Sequence, residues 1–289
     1  TSNEELNFLC CVYYNNPIFG DEYADCHFGR LVHLTSHSQY ILHEQKVGYL
    51  PVYEGKFIGL YTGNFATFKG MSENEKYKNK ATAKQIDDIT GSEYPEARFY
   101  IKSEIWNNIS KKFHKGYIIA WRSLTSATNQ RTMLATLLPL IPTCQSIQML
   151  QLDNIEDMLQ ILVLFNSIIF DYIVRLKMAG LDLTQTIIKQ IPVPKKEIYE
   201  SIIIFHDKED TIRNHLHARI KYLYSKDKRV NILFENSDVC DSVNKSRKQI
   251  ISELDCLVGI MYGLSKEQVK EIANTFDKYY TKKEVEQWF

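Results

Sequence analysis

The feature that most constrains this fold is the run DNIEDMLQILVLFNSIIFDYIVRLKMAG from Asp153 to Gly180. Its apolar positions 155, 158, 159, 162, 165, 169, 172, 173 and 176 follow the 3.6-residue period of an α-helix. Asp153 and Glu156, three apart, have the form of a capping box at its start, and Gly180 is a stop signal at its end. The width of the apolar face predicts a helix buried by whatever surrounds it. The longest apolar run, Leu159 to Phe170, is interrupted by Asn166 and Ser167, whereas a membrane span needs about 20 apolar residues.

Before Asp153 the pattern is different. Residues 1 to about 70 alternate short apolar runs with turn signals, and HFGRLVHLTSHSQYIL and VGYLPVYEGKFIGLY predict strands. Gly70 to Gly91 is polar and charged, which predicts a mobile loop or an insertion. YPEARFYI and KGYIIAWRSL predict two more strands around a short helix near Glu104 to Ile109. After Gly180, IKQIPVPKKE is held extended by Pro192 and Pro194, and a long helix is expected from about Glu197 to Tyr224. NKSRKQIISELDCLVGIMYG predicts an amphipathic helix stopped at Gly263, and Ser265 with Gln268 forms a capping box opening the next. The fold class is α+β: a β-rich lobe (about 1–145) followed by a helical segment (about 146–289).

The 289 residues hold 35 Lys+Arg against 35 Asp+Glu, with 44% hydrophobic and 24% charged residues, a composition of globular proteins. The balance is not uniform. Arg98, Lys102, Lys111, Lys112, Lys115, Arg122 and Arg131 face one acid, Glu104, between Arg98 and Thr132, so this window carries +6 and the rest −6. It is interleaved with Phe99, Tyr100, Trp106, Phe113, Tyr117 and Trp121, the combination that phosphate-backbone binding calls for. Within it RSLTSATNQRT (122–132) packs two arginines, an asparagine, a glutamine and five Ser or Thr into eleven residues, side chains suited to base edges or to an ordinary polar loop.

Six cysteines without a C-x-x-C pair, and eight histidines whose one H-x₃-H (His33–His37) has no cysteine pair to complete it, indicate neither a disulfide framework nor a metal-ligand set, as expected of a reducing cytoplasm. Adjacent Cys10 and Cys11 are expected to be small core residues, and His206, His215 and His217 surface residues of a helix. The N-terminus is polar and acidic, without the form of a signal peptide, and Thr1 is not a natural start, so the chain is expected to begin inside a longer protein. Glu54-Gly55-Lys56 has the E-x-K spacing of Mg²⁺-dependent nucleases, with His43-Glu44-Gln45-Lys46 a second example and Asp21 or Asp25 as the upstream acid. The seven prolines include no Pro-Pro pair, which excludes an adenine-methylating Asn/Asp-Pro-Pro-aromatic loop, and no phosphate-binding loop or G-x-S-x-G is present. Asp171 and Arg175 are i, i+4 ion-pair partners on a helix, while Arg175 and Lys177 are alternatively phosphate ligands.

PVYEGKFIG (51–59), WRSLTSATNQRTMLATLLP (121–139), NSIIFDYIVRLKMAGLDLTQTIIKQIPVP (166–194) and ELDCLVGIMYGLSKEQVKEIANTF (253–276) occur in this order. Together they resemble the C-terminal target recognition region of large bacterial adenine-specific DNA methyltransferases, including type IIG restriction–modification enzymes and BREX-type phage-defence methyltransferases. GRLVHLTSHSQYI (29–41) is similar to the stretch leading into it; the resemblance spans about 30 to 276 but not Gly70–Gly91. It implies a bacterial cytoplasmic module that recognises double-stranded DNA. An upstream methyltransferase domain would hold S-adenosylmethionine, leaving no catalytic centre, cofactor or metal site in this chain. The residues expected at base edges are Arg122, Thr125, Ser126, Thr128, Asn129, Gln130 and Arg131, and at phosphates Lys56, Lys111, Lys112, Arg175 and Lys177. The alternatives are a small Mg²⁺ nuclease using Glu54 and Lys56, and a protein-interaction module.

Overall fold

A computed structural model describes residues 2–78, 81–89, 93–234 and 245–288. The first half runs α1 (Asn3–Asn15), α2 (Phe19–Glu22), β1 (His27–Gly29), β2 (Ile41–Leu42), β3 (Tyr49–Pro51) and β4 (Ala66–Thr67). It continues through α3 (Glu73–Tyr77), β5 (Lys84–Gln85), β6 (Tyr100–Lys102), α4 (Ser103–Ile109), β7 (Tyr117–Arg122), β8 (Ala135–Pro139) and β9 (Ile147–Gln151). Then come α5 (Ile155–Asn166), α6 (Ile168–Lys177), α7 (Gln185–Lys189), β10 (Ile202–Phe205) and β11 (Lys208–Thr211). Last are α8 (Ile212–Tyr224), α9 (Arg247–Met261), α10 (Lys266–Asn274) and α11 (Lys282–Glu286). With 41% helix and 18% strand in small antiparallel sheets, the fold is α+β.

The centre is an antiparallel sheet in the order β1-β9-β7-β8. The YIIAWR of β7 is buried on both sides, and its period-2 alternation divides two cores. Ile119 and Trp121 join Phe165, Ile169 and the helices, whereas Ile118 and Ala120 meet Tyr53, Phe57, Ile58 and Phe68. A third cluster, Val32, Val52, Ile101, Trp106 and Cys144, lies under the sheet β2-β6-β3. The strands on either side of residue 145, β8 and β9, both pair with β7, so the two lobes share one sheet.

The 153–180 stretch is not one helix. It breaks at Ser167, where α5 and α6 meet at 65°. Ser167 is extended (φ −75, ψ 149), donates to the Leu164 carbonyl at 2.8 Å and accepts from the Phe170 N–H at 3.1 Å. A serine in mid-helix offers the backbone an alternative hydrogen bond, and here it caps a second helix. The pair is buried, and among the described residues no single helix is long and apolar enough to cross a membrane. At the start of α5 the cap is Asn154, accepting from Glu156 N–H at 2.9 Å, not Asp153. At the end of α6 Met178 turns extended before Gly180 is reached.

The expected helix from Glu197 is replaced by a 3₁₀ turn at Lys196–Glu200 and the β10–β11 hairpin, and only Ile212–Tyr224 is α-helical. Three consecutive β-branched isoleucines favour a strand, and His206 and Asp207, both at positive φ (50 and 62), close a two-residue turn. In the N-terminal part the long expected strands shrink to β1, β2 and β3, with a 3₁₀ turn at Gly55–Phe57. Within Gly70–Gly91, α3 carries a Ser72–Glu75 capping box and β5 pairs with β4; residues 79, 80, 90 and 91 lie outside the described residues. α4, β7, α9 with Gly263 at φ +70, and the Ser265–Gln268 cap on α10 appear where expected.

Candidate nucleic-acid interface

The polar segment 122–132 leaves the end of β7 and returns as β8, and most of its hydrogen-bonding groups are used inside the protein. Asp171, fully buried on α6, accepts from Arg131 Nε (2.8 Å), from the N–H of Thr132 (3.0 Å) and Met133 (3.3 Å), and from Arg175 Nε (3.1 Å). Arg131 also donates to the Asn166 carbonyl and stacks near Phe276 and Tyr279. Its burial opposes the charged form, but Asp171 and Asp255 outweigh it and hold the guanidinium charged. Arg175 reaches Thr132 Oγ1 and the Asn129 and Gln130 carbonyls, with its guanidinium 4.0 Å over Phe276. Burial lowers the Arg175 pKa, with Asp171 opposing.

Arg131, expected at a base edge, and Arg175, expected at a phosphate, are instead turned to Asp171, Arg131 buried and Arg175 half-buried. Thr125 is likewise interior, its hydroxyl donating to the Thr132 carbonyl at 2.7 Å. Arg122 is half-buried, donates to the Ile58 carbonyl and lies over Phe65; burial lowers its pKa to about 10. The residues that remain at the surface are Ser126, half-buried, and Thr128, Asn129 and Gln130, exposed. They form a tight turn: Ser126 Oγ pairs with Thr128 Oγ1 (2.9 Å) and accepts from the Thr128 N–H, and the Asn129 N–H donates to the Ser126 carbonyl (3.1 Å). Asn129 Nδ2 reaches Thr125 Oγ1, Gln130 Nε2 donates to the Lys278 carbonyl, and Lys278 Nζ reaches back to the Thr128 carbonyl.

The phosphate candidates are scattered. Lys111 and Lys112 are exposed in the turn before β7, at the opposite end of that strand from Ser126–Gln130. A six-residue strand spans about 20 Å, so the +6 window is not one continuous face. Lys177 is exposed near the Tyr13 ring (5.5 Å). Lys56 is drawn inward, donating to the Ala81 carbonyl at 2.8 Å, and burial lowers its pKa against the pull of Glu54. Glu54, 4% exposed, accepts a two-pronged pair from Arg98 (Nε–Oε1 2.9 Å, NH2–Oε2 3.0 Å). Both carboxylate oxygens of the E-x-K motif are thereby engaged by Arg98, the first arginine of the +6 window. No cluster of three or more His, Cys, Asp or Glu that could hold a metal ion occurs among the described residues.

Other expectations change as well. Cys10 and Cys11 are exposed on α1, whereas His215 and His217 are buried in α8, His217 within 3.1 Å of Glu156. Burial lowers the pKa of both imidazoles, with the Glu156 carboxylate opposing at His217. Sequence reading missed Lys278, Lys189 and Asp255, which reach their places only through tertiary packing; α1 had a readable signal in its Ser2–Glu5 capping box. No family model matches the chain, and no curated protein matches it.

Proposed function

We propose that this chain is a sequence-recognition module for double-stranded DNA, serving an adenine-specific DNA methyltransferase. The observation that carries the reading is the exposed Thr128-Asn129-Gln130 turn, mounted on a base fixed by Asp171, Arg131 and Arg175. Carboxamides suit the N6/N7 edge of adenine, and a base whose backbone is already ordered loses little entropy when it binds. Support also comes from the ordered motif resemblance. In this reading Ser126, Thr128, Asn129 and Gln130 meet bases; Lys111, Lys112 and Lys177 meet phosphates. Arg122, Thr125, Arg131, Arg175 and Lys56 hold the scaffold.

S-adenosylmethionine and the methyl-transfer residues belong, in this reading, to an upstream domain in the bacterial cytoplasm. A surface to brace against such a domain is available on α1, which exposes Leu6 (54%) and Tyr14 (90%) and borders a groove of about 820 Å³ with α10. The test is selection of the chain on a randomised duplex library. Enrichment of a short motif, relaxed at one position by Asn129→Ala or Gln130→Ala at a cost of about 1–3 kcal/mol on the enriched site, is the expected result. Duplex binding with no enriched motif overturns sequence recognition, and absence of duplex binding at low salt favours a protein-interaction module instead.

A further inference from the structure

We propose that the Lys111–Lys115 turn and Lys189 of α7 form a preorganised clamp for one stretch of sugar–phosphate backbone, separate from the Ser126–Gln130 turn. The proposal rests on the duplex-DNA reading above and adds where the backbone is gripped.

Surface lysines ordinarily ride on mobile loops, and this turn is fixed at several points. Ser110 Oγ donates to the Trp106 carbonyl at 2.8 Å and the Phe113 N–H to the Ser110 carbonyl at 2.8 Å. The Gln151 side chain closes the other end, accepting from the Lys115 N–H at 3.0 Å and donating to the Lys115 and Tyr117 carbonyls. Between them Phe113, 3% exposed, lies across Gly29 of β1. A Cβ at Gly29 would stand 2.6 Å from that ring, so only glycine lets the turn seat this closely.

Two of the charged heads, those of Lys112 and Lys189, lie against Phe28. Lys112 Nζ donates to the Phe28 carbonyl and lies 5.1 Å from the Phe113 ring, which fixes its position and leaves two N–H donors for a ligand. Lys189 Nζ, 77 residues along the chain, sits 5.1 Å from the Phe28 ring. Lys111, Lys112 and Lys189 are exposed and the Lys115 side chain is 35% exposed. The Asp153 carboxylate beside the turn is taken by His114 at 2.6 Å, with Lys115 at 3.9 Å. Lys112 and Lys189 against Phe28, with Lys111 and Lys115 on the same turn as Lys112, fit a run of phosphates better than a protein surface.

Affinity of the chain for one fluorescent duplex, measured across a salt series, tests the clamp. Each bound phosphate adds about 0.9 to the slope of log K against log salt. Lys112→Gln and Lys189→Gln should each weaken all duplex sequences alike and flatten the slope by about one, and the double variant by about two. Lys226→Gln, an exposed lysine after α8, should leave the slope unchanged, and thermal melting should match the parent in every variant. Duplex binding whose slope ignores Lys112 and Lys189 overturns the clamp and leaves the recognition reading intact. No duplex binding at low salt overturns both. Polyglutamate competing as well as duplex of equal charge overturns the clamp in favour of an acidic protein partner.

Discussion

Asn166 pairs with Ala135 as a neighbouring strand residue would: its Oδ1 accepts the Ala135 N–H at 2.9 Å and its Nδ2 donates to the Ala135 carbonyl at 3.0 Å. The last residue of α5 thus extends the hydrogen bonding of β8 at its first position. One residue later Ser167 opens α6, whose Asp171 takes the amides of Thr132 and Met133. The helix break and the polar segment are two halves of one joint. The side chains that looked most like readers of DNA bases are largely spent in making it, and what remains outward is a short turn on a rigid mount.

Replacing Asn166 by Ala should therefore cost about 1–3 kcal/mol in urea unfolding, because it strands the N–H of the fully buried Ala135, whose carbonyl keeps the Tyr61 N–H at 3.1 Å. Asn166→Asp keeps the acceptor and loses the donor, and should fall nearer the wild type only at low pH, where the acid is protonated. An Asn166→Ala variant within about 0.5 kcal/mol of the wild type would show that water or backbone relaxation replaces the pairing.

Asp171→Asn should be worse, at about 3–5 kcal/mol, since the Arg131 side chain is only 3% exposed and would lose the carboxylate bonded to it, keeping only the more distant attraction of Asp255. Combining it with Arg131→Met should recover a large part of the loss, because an apolar side chain needs no partner there. A double variant no more stable than Asp171→Asn alone would remove the ion pair from the explanation.

How much of this was legible in the sequence depended on range. α9 and α10 carry their capping boxes and apolar stripes within a dozen residues, and the doubly buried β7 announces itself as YIIAWR. The 153–180 stretch kept helical periodicity through its break, because a 65° turn at one serine scarcely disturbs the pattern on either side. Ile202–Ile204 carried β-branched residues whose strand preference was lost in a long helical window. At the site, composition identified 122–132 as polar but could not tell which side chains faced in. That was decided by Asp171 and Asn166, about 40 and 35 residues away, as the seating of Lys189 was decided by Phe28.

The Glu54–Arg98 pair gives a test of the E-x-K motif. Glu54→Gln should lower stability by about 1–3 kcal/mol, as it removes the charge facing a guanidinium whose side chain is 14% exposed. Calorimetric titration of the wild-type chain with Mg²⁺ should give no stoichiometric heat at Glu54. A stoichiometric Mg²⁺ site abolished by Glu54→Gln would restore the nuclease reading, and would require the Arg98 pair to open.

Asp255 supplies the pH dependence. It is fully buried on α9, where its Oδ1 accepts from the first N–H of α6 (Ile168, 2.9 Å) and its Oδ2 from the Tyr280 hydroxyl (2.8 Å). Burial raises its pKa from 3.8 to about 6, with Arg131 and these hydrogen bonds opposing. The folded state therefore holds this proton more tightly than the unfolded chain, so the cost of ionising Asp255 is absent below about pH 4, grows through pH 4–6 and is complete above it. Asp255→Asn keeps an acceptor for Ile168, and Tyr280 can turn its hydroxyl to accept from the new amide. At pH 8 the variant should be more stable than the wild type by about 1–3 kcal/mol, and at pH 4 the difference should nearly vanish. Urea unfolding at the two pH values measures both. A variant destabilised at pH 8 would mean that the carboxylate's attraction to Arg131 and to the start of α6 exceeds its desolvation, and the joint would then depend on Asp255 as well as on Asp171.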